Sequence, residues 1–206
     1  MSILIGDVHG RTLDYLTILR DADEMEVSTM LLGELGFKKE HDWFQGLKLN
    51  PDRHKIIFGN HDYFPYLNKP YSMGRFKSWS EPKGTFFSIA GAYSIDKQYR
   101  REGVTWFADE EMNLKEQTEC LALYEKCKPA YVLTHDGPES VIDAFFNYAY
   151  KFPNGNNTNK FYDILLGYHR PKAWVFAHHH KSRDMVINGT RFICLDELET
   201  FNTKNL

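Results

Sequence analysis

Five short apolar runs in this chain each end at a side chain able to bind a metal ion, and that repetition limits the fold more than any other feature. Residues 3–5 run into Gly6-Asp7-Val8-His9-Gly10, 27–32 into Gly33-Glu34-Leu35-Gly36, and 54–58 into Gly59-Asn60-His61-Asp62. Residues 130–133 run into Thr134-His135-Asp136, and 173–176 into Ala177-His178-His179-His180. Runs this short, separated by longer amphipathic stretches, read as strands alternating with helices. In an open α/β sheet, ligands bind at the strand ends. A strand also sends alternate side chains to one face, so Asp7 and His9 can converge on one point while Gly6 and Gly10 turn the backbone around it. One such ending reads equally well as a polar turn, but five in one chain point to a single site.

The chain has 206 residues and a formal net charge of -3, which suits one domain spanning 1–206 and gives no electrostatic argument for broad binding of nucleic acid or anionic membranes. Cys120, Cys127 and Cys194 are odd in number and widely spaced, against a disulfide framework and in favour of a reducing, cytoplasmic compartment. Met1 leads directly into the first strand without a basic leader, and no apolar run approaches the ~20 residues a membrane span needs. Asn188-Gly189 reads as a hairpin turn between 185–187 and 191–194.

Leu13, Leu16 and Leu19 mark a helix after Gly10, and a second helix runs from Leu114 to a stop at Pro129. Residues 139–150 and 161–168 are expected to be helical, 153–159 a mobile polar loop, and 85–95 a strand pair around Gly91. The hairpin at 185–195 is expected to close the fold. Residues 63–80 interleave aromatics with prolines and cations without a period. They read either as a lid beside the site, able to stack on nucleic acid, or as ordinary aromatic packing. Lys97, Arg100 and Arg101 form a charged turn that reads as a phosphate contact or as a solvated surface.

Carboxylate, imidazole and amide oxygen together suit manganese, iron, zinc or nickel better than magnesium or calcium, which prefer oxygen shells. In order and spacing, Gly6-Asp7-Val8-His9-Gly10, Gly33-Glu34, Gly59-Asn60-His61-Asp62, Thr134-His135-Asp136 and His178-His179-His180 resemble the calcineurin-like metallophosphoesterases. The resemblance implies a four-layer α-β-β-α sandwich of two mixed sheets with a dinuclear metal site at the strand ends. It implies that Asp7, His9 and His180 bind one ion, that Asn60, His135 and His178 bind the other, and that Glu34 bridges them. It further implies that the ions hold a hydroxide between them, that His61 protonates the leaving oxygen, and that His179 points away. The activity so implied is hydrolysis of phosphate esters, on small or nucleotide-like substrates, with two divalent ions, foremost manganese.

Two positions depart from the family pattern. The bridging residue is ordinarily aspartate, and the extra methylene of Glu34 is expected to loosen one ion. The Asp-Arg-Gly and the arginine before Gly-Asn-His that mark the protein serine/threonine phosphatases are absent, since Leu35-Gly36-Phe37 and Phe58 stand there. The acid that would orient His61 in that branch is absent too. Two other readings stay open: a metal-depleted scaffold on the same fold, favoured by Glu34, and a nuclease or phosphodiesterase on nucleic acid, favoured by the aromatic and basic stretch at 63–80.

Overall fold

A computed structural model describes residues 2–147 and 157–206. Strand β1 (Ser2–Ile5) feeds helix α1 (Thr12–Glu24), and β2 (Ser28–Leu31) feeds α2 (Lys38–Gly46) before β3 (His54–Ile56). The chain continues through β4 (Phe76–Glu81), β5 (Gly84–Ile89), α3 (Leu114–Cys127), β6 (Tyr131–Thr134), α4 (Glu139–Phe146) and α5 (Asn157–Tyr168). It then forms β7 (Ala173–Phe176), β8 (Arg183–Ile187), β9 (Thr190–Cys194) and β10 (Thr200–Asn202).

Two mixed sheets result, one in the order β10-β1-β2-β3 and the other in the order β4-β5-β6-β7-β9-β8. Strands β1, β2 and β3 are parallel and β10 is antiparallel to β1; β5, β6, β7 and β9 are parallel, with β4 and β8 as antiparallel edges. Alternation along the second sheet shows the layering. Phe86, Tyr131, Leu133, Ala173, Val175 and Ile193 join the core shared with the first sheet. Their neighbours Phe87, Val132, Trp174, Phe176, Phe192 and Cys194 face Cys120, Tyr124, Val141, Phe161, Tyr162 and Leu165 of α3, α4 and α5. A period of two with both faces buried requires helices outside and a sheet inside, which is the four-layer sandwich. Because β1, β2 and β3 run in one direction, as do β6 and β7, the five ligand-bearing ends meet at one edge.

The five ligand-bearing strands and the hairpin fall where the sequence puts them. Asn188 and Gly189 both have positive φ (50° and 84°) and pair Ile187 with Thr190. The other elements differ in instructive ways. Helix α1 buries Tyr15, Leu19 and Ala22, whereas Leu13 is 75% exposed, so its inward face lies off the leucine spacing. Helix α2 and strand β10 have no counterpart in the sequence reading. Residues 63–80 form no lid: Phe64, Tyr71 and Met73 lie in the core, and Trp79 stacks on Phe86 from edge strand β4. The strand pair expected over 85–95 does not form: only β5 lies there, it pairs with β4 on its N-terminal side, and 91–95 is not a strand. Helix α4 ends at Asn147, which takes a left-handed cap, and the rest of the expected 139–150 helix lies outside the described residues. Of the expected loop at 153–159, residues 153–156 also lie outside them, and 157–159 open α5, with Thr158 and Asn159 buried. Among the described residues, no helix is long and apolar enough to cross a membrane.

Candidate metal centre

Glycine makes the close approach of the strand ends possible. A Cβ on Gly33 would lie 2.2 Å from His135 Nδ1, and one on Gly59 2.6 Å from the same ring, so the imidazole occupies a slot that only two glycines leave open. His9, Glu34, His178 and His180 all take positive φ (45°, 59°, 68° and 48°), a backbone region that costs non-glycine residues of order 1–3 kcal/mol each. The fold carries that strain in the loops that aim these side chains at one another. The loops are tied together by their backbones: Val8 N and His9 N donate to Glu34 O at 3.3 Å, and Ala177 N donates to His135 O at 2.8 Å.

Two donor clusters meet at Glu34. Ligand atoms of Asp7, His9, Glu34 and His180 lie within 4.8 Å of one another, and so do those of Glu34, His135 and His178. Glu34 Oε2 touches His9 Nε2 and lies 4.0 Å from His180 Nε2. Its other oxygen, Oε1, lies 3.4 Å from His135 Nε2 and 3.8 Å from His178 Nδ1. In the first cluster His9 Nε2 and His180 Nε2 approach to 2.7 Å, with Asp7 Oδ2 3.2 Å from the latter. In the second, His135 Nε2 is 3.1 Å from Asn60 Oδ1 and 3.0 Å from His178 Nδ1. The structure thus brings all seven expected ligands together. Asp7, Glu34, Asn60 and His135 form the buried floor, and His9 and His180 form the exposed rim.

A divalent cation fits this donor set. Asp7 Oδ1 is buried without a hydrogen-bond partner, which native interiors rarely tolerate. Ring nitrogens and carboxylate oxygens pointing at a common centre give mixed N/O donors of the kind first-row transition ions take. The electrostatics also favour positive charge. Burial alone would raise the Glu34 carboxyl, but contacts from His135, His178 and His9 hold it well below the usual range. Burial opposes charge on His135, yet Asp7 and Glu34 outweigh it and push that imidazole up to about 10. Burial dominates at Asp7 and raises its carboxyl.

His61 stands beside the clusters, with Nδ1 3.5 Å from Glu34 Oε1 and Nε2 against the Arg100 guanidinium. Burial first, then the neighbouring cations, push this imidazole down to about 4. Asp96 holds Arg100 at 2.7 Å, and the guanidinium lies over the Phe37 ring. Lys97 and Arg101, the other two cations of the turn, have other surroundings. The Lys97 ammonium is drawn onto the faces of Tyr93 (4.7 Å) and Trp106 (5.7 Å), and Arg101 is an exposed turn residue whose backbone N–H donates to Thr105. His179 turns away from the clusters and pairs with buried Asp136 at 2.9 Å.

Sequence reasoning gave Asp62 no role, although it stands in the quoted motif. Fully buried, it accepts from Glu34 N (2.9 Å), Gly36 N (3.3 Å) and Gly59 N (2.7 Å), and from His41 Nε2 (3.0 Å), whose Nδ1 meets Tyr71 Oη at 3.0 Å. One carboxylate therefore holds the loop after β2 to the loop after β3. The only signal in the sequence was an acid directly after His61.

The sequence pattern of the calcineurin-like phosphoesterases matches residues 2–182. Among solved structures, the fold is similar to that of a phosphopantetheinyl hydrolase from Mycobacterium tuberculosis, at 15% identity, with 95% of this chain and 90% of that one covered and a TM-score of 0.51. It is also similar to a phosphatase from Mycoplasma pneumoniae, at 12% identity, with 95% and 71% covered and a TM-score of 0.50. At such identities the likeness to these structures speaks for the fold alone. No curated protein matches the sequence.

Proposed function

The chain belongs to the calcineurin-like phosphoesterase family and is a hydrolase of phosphoester bonds, and from that premise we propose that it acts on small or nucleotide-like phosphate esters with two divalent ions, foremost manganese. The observation that carries this reading is Glu34, whose two oxygens face two separate donor clusters. Asp7, His9 and His180 would hold one ion, and Asn60, His135 and His178 the other. Such a pair supplies, when bound, an activated water and positive charge against the phosphate oxygens.

The chain's own residues do the rest. Asp7 and Glu34 are the only carboxylates among the proposed ligands, so their charge leaves the loaded site net positive, as an anionic ester requires. Arg100 lies against His61, and a phosphate entering beside His61 offers its guanidinium a better acceptor than an imidazole nitrogen. Arg100 turning to the phosphate would free His61 Nε2 to carry the proton that passes to the leaving oxygen. Phe37, beside both His61 and Arg100, gives the leaving group an apolar wall. The free cysteines suit a reducing, cytoplasmic location.

The test is hydrolysis of aryl phosphate mono- and diesters by purified protein with added manganese. Turnover that needs the metal and falls on Arg100→Ala, mainly through KM, supports the reading. Folded, manganese-loaded protein that hydrolyses neither ester contradicts it.

A further inference from the structure

Asn60 is the only proposed ligand that offers two chemically different ends of similar shape. The amide oxygen can bind a cation and the NH2 group repels one, yet packing alone barely distinguishes them. Something polar must fix the choice. Asn60 Nδ2 donates to Ser94 Oγ at 3.2 Å, Ser94 Oγ donates to Glu110 Oε2 at 2.7 Å, and Ser94 N donates to Glu110 Oε1 at 2.8 Å. All three residues are buried, at 3%, 0% and 2% exposure.

We infer that Ser94 and Glu110 are positioning residues whose directed hydrogen bonds keep the Asn60 amide oxygen facing the second metal site. The inference rests on the proposed metal-dependent function. A carboxylate only accepts, so with both Ser94 donors ending on Glu110, the hydroxyl proton points at Glu110 and the hydroxyl lone pairs face Asn60. Only the amide NH2 can meet those lone pairs, which leaves Oδ1 turned to the second cluster, 3.1 Å from His135 Nε2. The backbone brings the relay together: a Cβ on Gly91 would lie 2.1 Å from Glu110 O, so the loop after β5 runs against residue 110 at a distance only glycine allows. Without Ser94 the amide is free to flip, and in half of its arrangements an N–H group points where the ion should be.

The experiment titrates manganese chloride alone into metal-free wild type, Ser94→Ala, Asn60→Asp and the double variant, reading the affinity of each ion by calorimetry. Ser94→Ala should weaken one of two ions by about 10- to 100-fold, the usual effect of losing an outer-shell partner, and leave the other within about twofold. Asn60→Asp presents oxygen at both ends, so in that background the loss on Ser94→Ala should shrink to about twofold, the scatter of uncoupled sites. Glu110→Gln, which can donate to Ser94 and reverse the relay, should reproduce the Ser94→Ala loss and serves as the second variant if Ser94→Ala does not fold. An equal loss in both Asn60 backgrounds, or no loss in a wild type that binds two ions, overturns the relay alone. A wild type that takes up no manganese overturns the functional reading and the relay with it.

Discussion

Removing the Asp62 carboxylate should damage both the fold and the site, by an amount that the geometry sets. Asp62→Ala strands three buried donors at once, the N–H groups of Glu34 and Gly59 and His41 Nε2, together with the part-buried N–H of Gly36. Each buried group left unsatisfied costs about 1–3 kcal/mol, so even with water entering the cavity the loss should be at least ~4 kcal/mol, a large share of the 5–15 kcal/mol that holds a typical domain. Asp62→Asn is the graded control. An amide oxygen at the Oδ2 position keeps the Glu34 and Gly59 bonds, and His41 can switch tautomer to accept from the new NH2, so mainly the 3.3 Å Gly36 bond and the charge are lost. That variant should cost ~1–3 kcal/mol. At roughly 2–4 °C per kcal/mol for a chain of this size, thermal unfolding should separate the two clearly. Metal affinity should fall in the same order, since Glu34 sits in the released loop. If Asp62→Ala unfolds within ~1 kcal/mol of wild type, the claim that one carboxylate holds the two loops together is wrong.

His61→Ala should keep both metals and lower turnover by roughly 100-fold on esters with poor leaving groups, with a smaller loss on an acidic aryl leaving group that needs no proton. Equal losses on both would contradict the general-acid role. The sequence alone favours tighter metal binding by Glu34→Asp. We propose the opposite sign, because the two glutamate oxygens face different clusters, Oε2 against His9 and Oε1 towards His135. A manganese titration should therefore find Glu34→Asp weaker at one ion, and tighter binding would show that the glutamate is a misfit. His179→Ala should cost about 1–3 kcal/mol in urea unfolding by taking a partner from buried Asp136 while both ions remain. Loss of metal at unchanged stability would place His179 in the first coordination sphere instead.

The strand ends were legible because their signal is local: an apolar run and a ligand-type residue stand almost side by side in the chain, with a glycine between them in the first three, and parallel pairing then gathers them at one edge. Helix α2 was not legible because its fully buried residues are only His41 and Phe44 among charged neighbours, and no side-chain cap marks its start. Strand β10 is three residues long and exists because β1 has an open edge to pair with, a tertiary cause with no trace in Thr200-Phe201-Asn202. Tyr63 to Ser80 lacks a period because it crosses from a buried turn to an edge strand, each with its own pattern. The supporting shell was hidden for the same reason. Ser94 and Glu110 reach Asn60 from 34 and 50 positions away in sequence, and His41 reaches Asp62 from a helix the sequence did not announce. Of the cationic turn, Arg100 was separable from Lys97 only once the rings of Tyr93 and Trp106 were in place around the ammonium.

Whether Glu34 joins two metal sites is read from the number of manganese ions bound per chain, by equilibrium dialysis with elemental analysis, in wild type and in Glu34→Ala. Wild type should bind two ions and Glu34→Ala should lose affinity at both sites, because a single carboxylate serves each. One ion or none in wild type, or two ions held by Glu34→Ala as tightly as by wild type, would contradict it.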